Sequence, residues 1–162
     1  MKYAGLMEND FIDGNGVCVS LWVQGCPHHC PGCHNPETWD FEGGYDIPDD
    51  IRGEIIKAIS ANGITRNFSI LGGEPLCEEN LDFVLNIVTS VRIAYPNIKI
   101  YVWTGYTYAE LLSKDDERIT NILKQINILI DGRYIDSLRD TTLPLRGSSN
   151  QKIISLDEMK IL

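Results

Sequence analysis

The sequence predicts an α/β fold, an open partial (β/α) barrel of parallel strands joined by crossover helices. Two observations carry this. Short apolar, β-branched runs alternate with segments whose apolar residues recur every three or four positions, the signature of strand–helix–strand units with right-handed crossovers. At 162 residues the chain is also well short of the roughly 250 that a closed eight-fold barrel takes. A flat, flavodoxin-like sheet is the alternative arrangement of the same elements.

The elements follow in order. VCVSLWV from Val17 to Val23, opened by Gly16, reads as the first strand. Pro48, Asp49 and Asp50 then start a helix that carries Ile51, Ile55 and Ile59 on one face, with Asn62-Gly63 as the stop. Phe68 to Leu71 is the second strand, ending in Gly72-Gly73. Leu81, Val84, Leu85, Val88 and Val91 form the apolar stripe of a second helix that Pro96 ends. Ile98 to Trp103 is the third strand. Tyr108 to Leu112 and Glu117 to Ile126 are helical, Ile128 to Ile130 is the fourth strand, and Lys152 to Leu156 is a last one. Residues 133 to 150 are polar and irregular. With no repeat, low-complexity tract or linker, residues 1 to 162 read as one domain.

Composition agrees with a folded chain that has one core: 43% of residues are apolar or aromatic, and Pro and Gly are not in excess, which argues against a disordered chain. Scaling area with mass, a chain of this size buries about 70% of its unfolded surface. The net charge of −9 sits in the first half, where residues 1 to 80 hold 4 basic and 13 acidic side chains. That balance argues against nucleic-acid and anionic-membrane partners, and by itself is also what solubility requires. The opening MKYAGLMENDF has no secretory apolar run, and no stretch reaches transmembrane length, so a cytoplasmic protein is expected. Five cysteines are then thiols or metal ligands rather than a disulfide framework.

In parallel α/β sheets the loops after the strands open on one side, so the residues that follow each strand are the candidates for chemistry. After the first strand comes Cys26-Pro27-His28-His29-Cys30-Pro31-Gly32-Cys33-His34-Asn35. After the second comes Gly72-Gly73-Glu74-Pro75, after the third Thr104-Gly105-Tyr106, and after the fourth Asp131-Gly132-Arg133. The CxxxCxxC run of Cys26, Cys30 and Cys33 suits an iron–sulfur cluster, or a zinc ion closed by a histidine, Cys18 or Cys77. The Gly72 to Pro75 segment reads either as a tight turn or as a backbone cradle with Glu74 accepting from an ammonium group. Thr104 and Asp131 read as turn residues or as ligand contacts. His28, His29 and His34 are close enough to the thiols to ligate or to donate to sulfur.

The cysteine run together with GGEP resembles the radical S-adenosylmethionine (SAM) superfamily. More narrowly, Asp13-Gly14-x-Gly16-Val17, VQGCPHHCPGCHNPETW from Val23 to Trp39, GGEPL from Gly72, WTGYTYAEL from Trp103, DGRY from Asp131 and RGSSNQ from Arg146 resemble the activating enzymes of anaerobic (class III) ribonucleotide reductase. The resemblance implies that Cys26, Cys30 and Cys33 hold a 4Fe–4S cluster whose open iron binds SAM. It places the backbone of Gly32, Cys33 and His34 beside the adenine, Gly73 and Glu74 at the methionine ammonium, and Asp131 and Thr104 at SAM or a nearby cation. It further implies the reductase as protein substrate and a flavodoxin-type electron donor. Two positions depart from the pattern. Gly32 stands where an aromatic residue is usual, and Cys18 where a basic one is, so Cys18 is expected to pack as a small apolar residue. Other activases of glycyl-radical enzymes, a zinc-stabilised interaction module and a simple electron carrier are the competing readings.

Overall fold

Val19, Leu21 and Val23 are buried on one face of a strand whose other face carries Cys18, Ser20 and Trp22, the two-residue alternation that fixes which side of a sheet is the core. This strand is the second of seven in the computed structural model, which describes residues 2–157. The strands are β1 (Lys2–Asp10), β2 (Cys18–Val23), β3 (Tyr45–Asp46), β4 (Asn67–Gly72), β5 (Ile100–Trp103), β6 (Ile128–Asp131) and β7 (Lys152–Ser155). They form one open mixed sheet in the order β3-β1-β2-β4-β5-β6-β7. The central four, β2, β4, β5 and β6, are parallel, as the sequence predicts.

The edges correct that expectation of a wholly parallel sheet. β1 and β7 run antiparallel to their neighbours and β3 adds a two-residue pairing on β1. β1 escapes the sequence reading because KYAGLMEND is mostly half-buried or exposed and two register shifts interrupt its pairing with β2, so no clean alternation marks it.

Helices α1 (Ile51–Ile59), α2 (Glu78–Ala94), α3 (Tyr108–Ser113) and α4 (Glu117–Gln125) fill the connections. Thr107 and Glu110 form a reciprocal capping box at the start of α3, and Asp116 caps α4 by accepting from the Arg118 amide. The helical stripes, among them Ile55 and Ile59, Val84 and Val88, and Ile119 and Ile122, pack with Leu21, Ile70, Val102 and Leu129 of the sheet in one apolar core.

The opposite sheet face is covered by loops. Ser69 donates to the Asp13 carbonyl, the Asn15 amide donates to the Tyr101 hydroxyl at 3.2 Å, and Trp103 Nε1 donates to the Leu145 carbonyl at 2.7 Å. The strand ends meet at one rim, because in the register Val23 lies beside Gly72 and Trp103 beside Ile130. Cys18 is fully buried in β2, as expected of a small apolar residue. Among the described residues no helix is long and apolar enough to cross a membrane.

Candidate active site

The chain leaves β2 into the cysteine loop and is pinned where it returns. The Gly25 amide donates to the Thr38 carbonyl at 2.7 Å and the Cys26 amide to the Trp39 carbonyl at 3.1 Å. Gln24, 2% exposed, donates to the carbonyls of Glu37 and Asp40 at 2.9 and 2.8 Å, which holds the far side of the loop. Pro27 and Pro31 deny the loop a regular helix, and the Cys33 amide closes a single turn onto the Cys30 carbonyl at 3.0 Å. His29 stacks on the Trp39 ring, with centroids 4.7 Å apart.

Cys26, Cys30 and Cys33 are free, half-buried thiols lining one cavity of about 560 Å3. Burial pushes the Cys26 thiol up to about 11 and raises Cys30 as well. In this environment the thiolate form needs a cation beside it, and an iron centre supplies one. By donor chemistry, three soft sulfurs lining one cavity suit an iron–sulfur cluster, although among the described residues no three His, Cys, Asp or Glu side chains are gathered as ligands of a single metal ion.

Glu74 is the other centre of the site. Its side chain is 1% exposed and its two oxygens are already occupied. His28 Nε2 lies 2.7 Å from Oε1, and the Gly105 amide donates to the same oxygen at 2.6 Å. Thr104 Oγ1 and the Leu76 amide each donate to Oε2 at 2.8 Å. A carboxylate so surrounded has no lone pair left for a ligand ammonium, so what the segment offers a ligand is its backbone. Gly73 is needed for the same closeness: a Cβ there would stand 2.4 Å from the Gly25 carbonyl oxygen. Asn80, 3% exposed in the first turn of α2, donates to the carbonyls of Glu74 and Gln24 at 2.9 and 3.2 Å and ties both loops to the helix.

Residues 12–154 match the family described as a 4Fe-4S single cluster domain. The anaerobic ribonucleoside-triphosphate reductase-activating protein of Escherichia coli is 35% identical over 94% of this chain and 97% of its own length. Its counterpart in Vibrio cholerae is 36% identical over the same shares, and that of Haemophilus influenzae is 36% identical over 94% and 97%. The chain belongs to this family of reductase-activating proteins. Membership brings an iron–sulfur cluster with it and sets aside the zinc module.

Within this member of the activating-protein family, the remaining sequence candidates divide. Cys33, His34, Gly73 and Thr104 line the cavity. Asp131 does not: it is 5% exposed and accepts from the backbone amides of Tyr108 and Lys152 at 2.8 and 3.3 Å, so its carboxylate joins α3 and β7 to the end of β6. Gly32, at φ +78°, backs onto Asp136, whose Oδ1 lies 2.7 Å from where a Cβ would be. The positive φ, rather than lack of space, is what favours glycine at this exposed position.

The sequence reading missed His28, Gln24 and Asn80 as organisers, although His28 and Gln24 flank Cys26. It also left Asp13 without a role. Asp13 lines the cavity, and burial followed by its hydrogen bond to Asp10 pushes it up to about 7. Desolvation pushes Asp10 the other way from its net shift; the hydrogen bonds from Asp13, Ser20 and the amides of Ile12 and Asp13 outweigh it and hold Asp10 low. Below about pH 7 Asp13 is therefore the member of this pair that holds a proton, facing Asp10.

Proposed function

We propose that this protein activates anaerobic ribonucleotide reductase by reductive cleavage of SAM in a cytoplasmic radical SAM domain spanning residues 1 to 162, its sheet serving as the partial barrel. The observation that carries the reading is the single cavity shared by Cys26, Cys30 and Cys33 with Gly72, Gly73, Thr104 and Gly105. Cys26, Cys30 and Cys33 would each hold one iron of a 4Fe–4S cluster. The chemistry supplied there is one electron to the sulfonium of SAM, which yields methionine and a 5′-deoxyadenosyl radical able to take a hydrogen atom from a glycine Cα of the reductase.

This chain's own residues bind and orient. The Gly73 backbone would accept from the methionine ammonium, with Glu74 beside it: the Glu74 carbonyl is held by Asn80 and Cys77, and its carboxylate fixes the distance between that segment and the cysteine loop through His28. The backbone at Cys33 and His34 forms the adenine side, with Gly32 behind it, and Thr104 reaches the cofactor edge only through Glu74. Asp131 fixes the strand end rather than touching SAM or a cation. Trp22, Leu71 and Trp103 give the cavity an apolar wall that keeps water from the reacting carbon. The electron arrives from a flavodoxin-type donor, and the open side of the sheet admits the glycine-bearing segment of the reductase.

The test is turnover. Anaerobically reconstituted protein, reduced with dithionite, is expected to convert SAM to 5′-deoxyadenosine and methionine, and a reduced cluster that leaves SAM intact would refute the reading.

A further inference from the structure

The turn between β1 and β2 presents two large apolar side chains to solvent: Phe11 is 74% exposed and Ile12 81%. This exposure is built into the turn. Asp10, itself 2% exposed, accepts from the Ile12 and Asp13 amides at 2.9 and 3.2 Å with Oδ1, and from the Ser20 hydroxyl at 2.6 Å with Oδ2. On the far side of the turn, Ser69 donates to the Asp13 carbonyl, and Asn67 Nδ2 donates to the Asn15 carbonyl at 3.2 Å. The pairing of β1 with β2 also shifts register between Met7 and Asp10, the kind of irregularity that re-aims side chains beside active sites. A turn held at this many points does not bare a phenylalanine and an isoleucine by fraying. Large apolar groups fixed in water together mark an interaction site.

The position of the turn selects the partner. Ile12 and Asp13 line the same cavity as Cys26, Cys30 and Cys33, so the turn forms a lip of that cavity. Among the described residues Ile12 is the one large, exposed apolar side chain that does so; Ile64, Ile93 and Leu112, for example, lie outside it. A group that gives up a hydrogen atom inside the cavity has to come within contact distance of the donor of the radical, and the segment carrying it passes the lip. The charge on this side is of one sign. From Tyr3 to Ile51 the sequence has no Lys or Arg, and Glu8 is exposed three residues before Phe11.

We propose that Phe11 and Ile12 form a docking lip for the reductase, packing on apolar side chains of the segment that carries its glycine, with a basic residue of that segment facing Glu8. The inference rests on the function proposed above and names the surface of this chain that receives the protein substrate.

The experiment compares wild type with Phe11→Ser, Ile12→Ser and Glu8→Lys as anaerobic, cluster-bearing proteins, and titrates each with the reductase. Phe11→Ser and Ile12→Ser are each expected to lose about 10- to 100-fold in reductase affinity, as apolar anchors of an interface do. Glu8→Lys is expected to lose a smaller factor, about 3- to 10-fold, that shrinks as salt is raised. Dithionite-driven SAM cleavage without the reductase is expected to be the same in Phe11→Ser as in wild type. A photoreactive phenylalanine analogue in place of Phe11 is expected to cross-link to the glycine-bearing segment of the reductase. Wild-type reductase affinity in Phe11→Ser and Ile12→Ser, or cross-links confined to another part of the reductase, overturns the proposal. So does reductase affinity that holds while the substitutions dissociate a dimer of this chain or slow reduction by a flavodoxin-type donor, because the lip then has another occupant. Glu8→Lys that binds as wild type overturns the charge pairing. Wild type that fails to cleave SAM refutes the proposed function instead, and the reductase titration still decides the lip.

Discussion

His28 of the cysteine loop and Glu74 of the loop after β4 meet at 2.7 Å with both side chains almost wholly buried, at 5% and 1% exposure. This contact joins the cysteine loop, proposed to hold the cluster, to the segment proposed to receive SAM. It also turns a carboxylate that the sequence offers as a ligand into a brace.

Replacing Glu74 with Gln puts an amide nitrogen against neighbours that are themselves donors, and at least one buried N–H loses its acceptor. The expected cost is about 1 to 3 kcal/mol of stability, read from chemical denaturation, together with weaker SAM binding. Cluster iron is expected to stay at the wild-type level, because no cysteine is touched. A Glu74→Gln protein as stable as wild type and with undiminished SAM affinity would show that the brace is idle.

The cysteines give a sharper contrast. Cys26→Ala, Cys30→Ala and Cys33→Ala are each expected to abolish the brown cluster absorption. Cys18→Ser and Cys77→Ser are expected to keep it, since both thiols are buried away from the cavity, and burial pushes Cys77 up to about 12. A full cluster in the Cys33→Ala protein would mean a different ligand set.

Asp13 makes stability depend on pH in a defined direction. Its folded-state value of about 7 lies above the ordinary 3.8, so the folded state holds the proton more tightly than the unfolded chain. The stabilisation is fully present below the ordinary value and is lost as pH rises through about 7. Asp13→Asn keeps a donor toward Asp10 but cannot ionise. Its thermal midpoint is expected to fall less than that of wild type between about pH 5 and 8. Parallel profiles for the two proteins would contradict the pairing.

The loop that covers this sheet face is expected to contact the reductase. Arg139, Asp140, Thr141 and Leu143 line the cavity, and Leu138 is exposed at 42% beside them. Scrambling residues 137–142 spares Asp136, which packs on Gly32, and Leu145, which accepts from Trp103. Reductase activation is expected to fall while dithionite-driven SAM cleavage persists. Equal loss of both would remove this loop from partner contact.

The four central strands were legible in the sequence because each is short, β-branched and buried on its helix-facing side, and Ile51, Ile55 and Ile59 announce α1 by spacing alone. The edge strand β1 was not, since a half-exposed strand broken by register shifts carries little pattern. The three cysteines could be found because their spacing is local. The role of Glu74 could not, because its four partners come from His28, Leu76, Thr104 and Gly105, three of them distant in the chain. The partners of Asp131 were illegible for the same reason: a carboxylate at a strand end looks alike whether it faces a ligand or the amides of Tyr108 and Lys152.

The central claim is that a cluster held by Cys26, Cys30 and Cys33 splits SAM to place a radical on the reductase. The most direct measurement mixes the reduced, reconstituted protein with SAM and its reductase, then follows 5′-deoxyadenosine by chromatography and the organic radical by electron paramagnetic resonance. The account predicts deoxyadenosine formation accompanied by a glycyl-radical doublet on the reductase, both absent with Cys30→Ala. A reductase radical that forms without SAM, or with the Cys30→Ala protein, would contradict it.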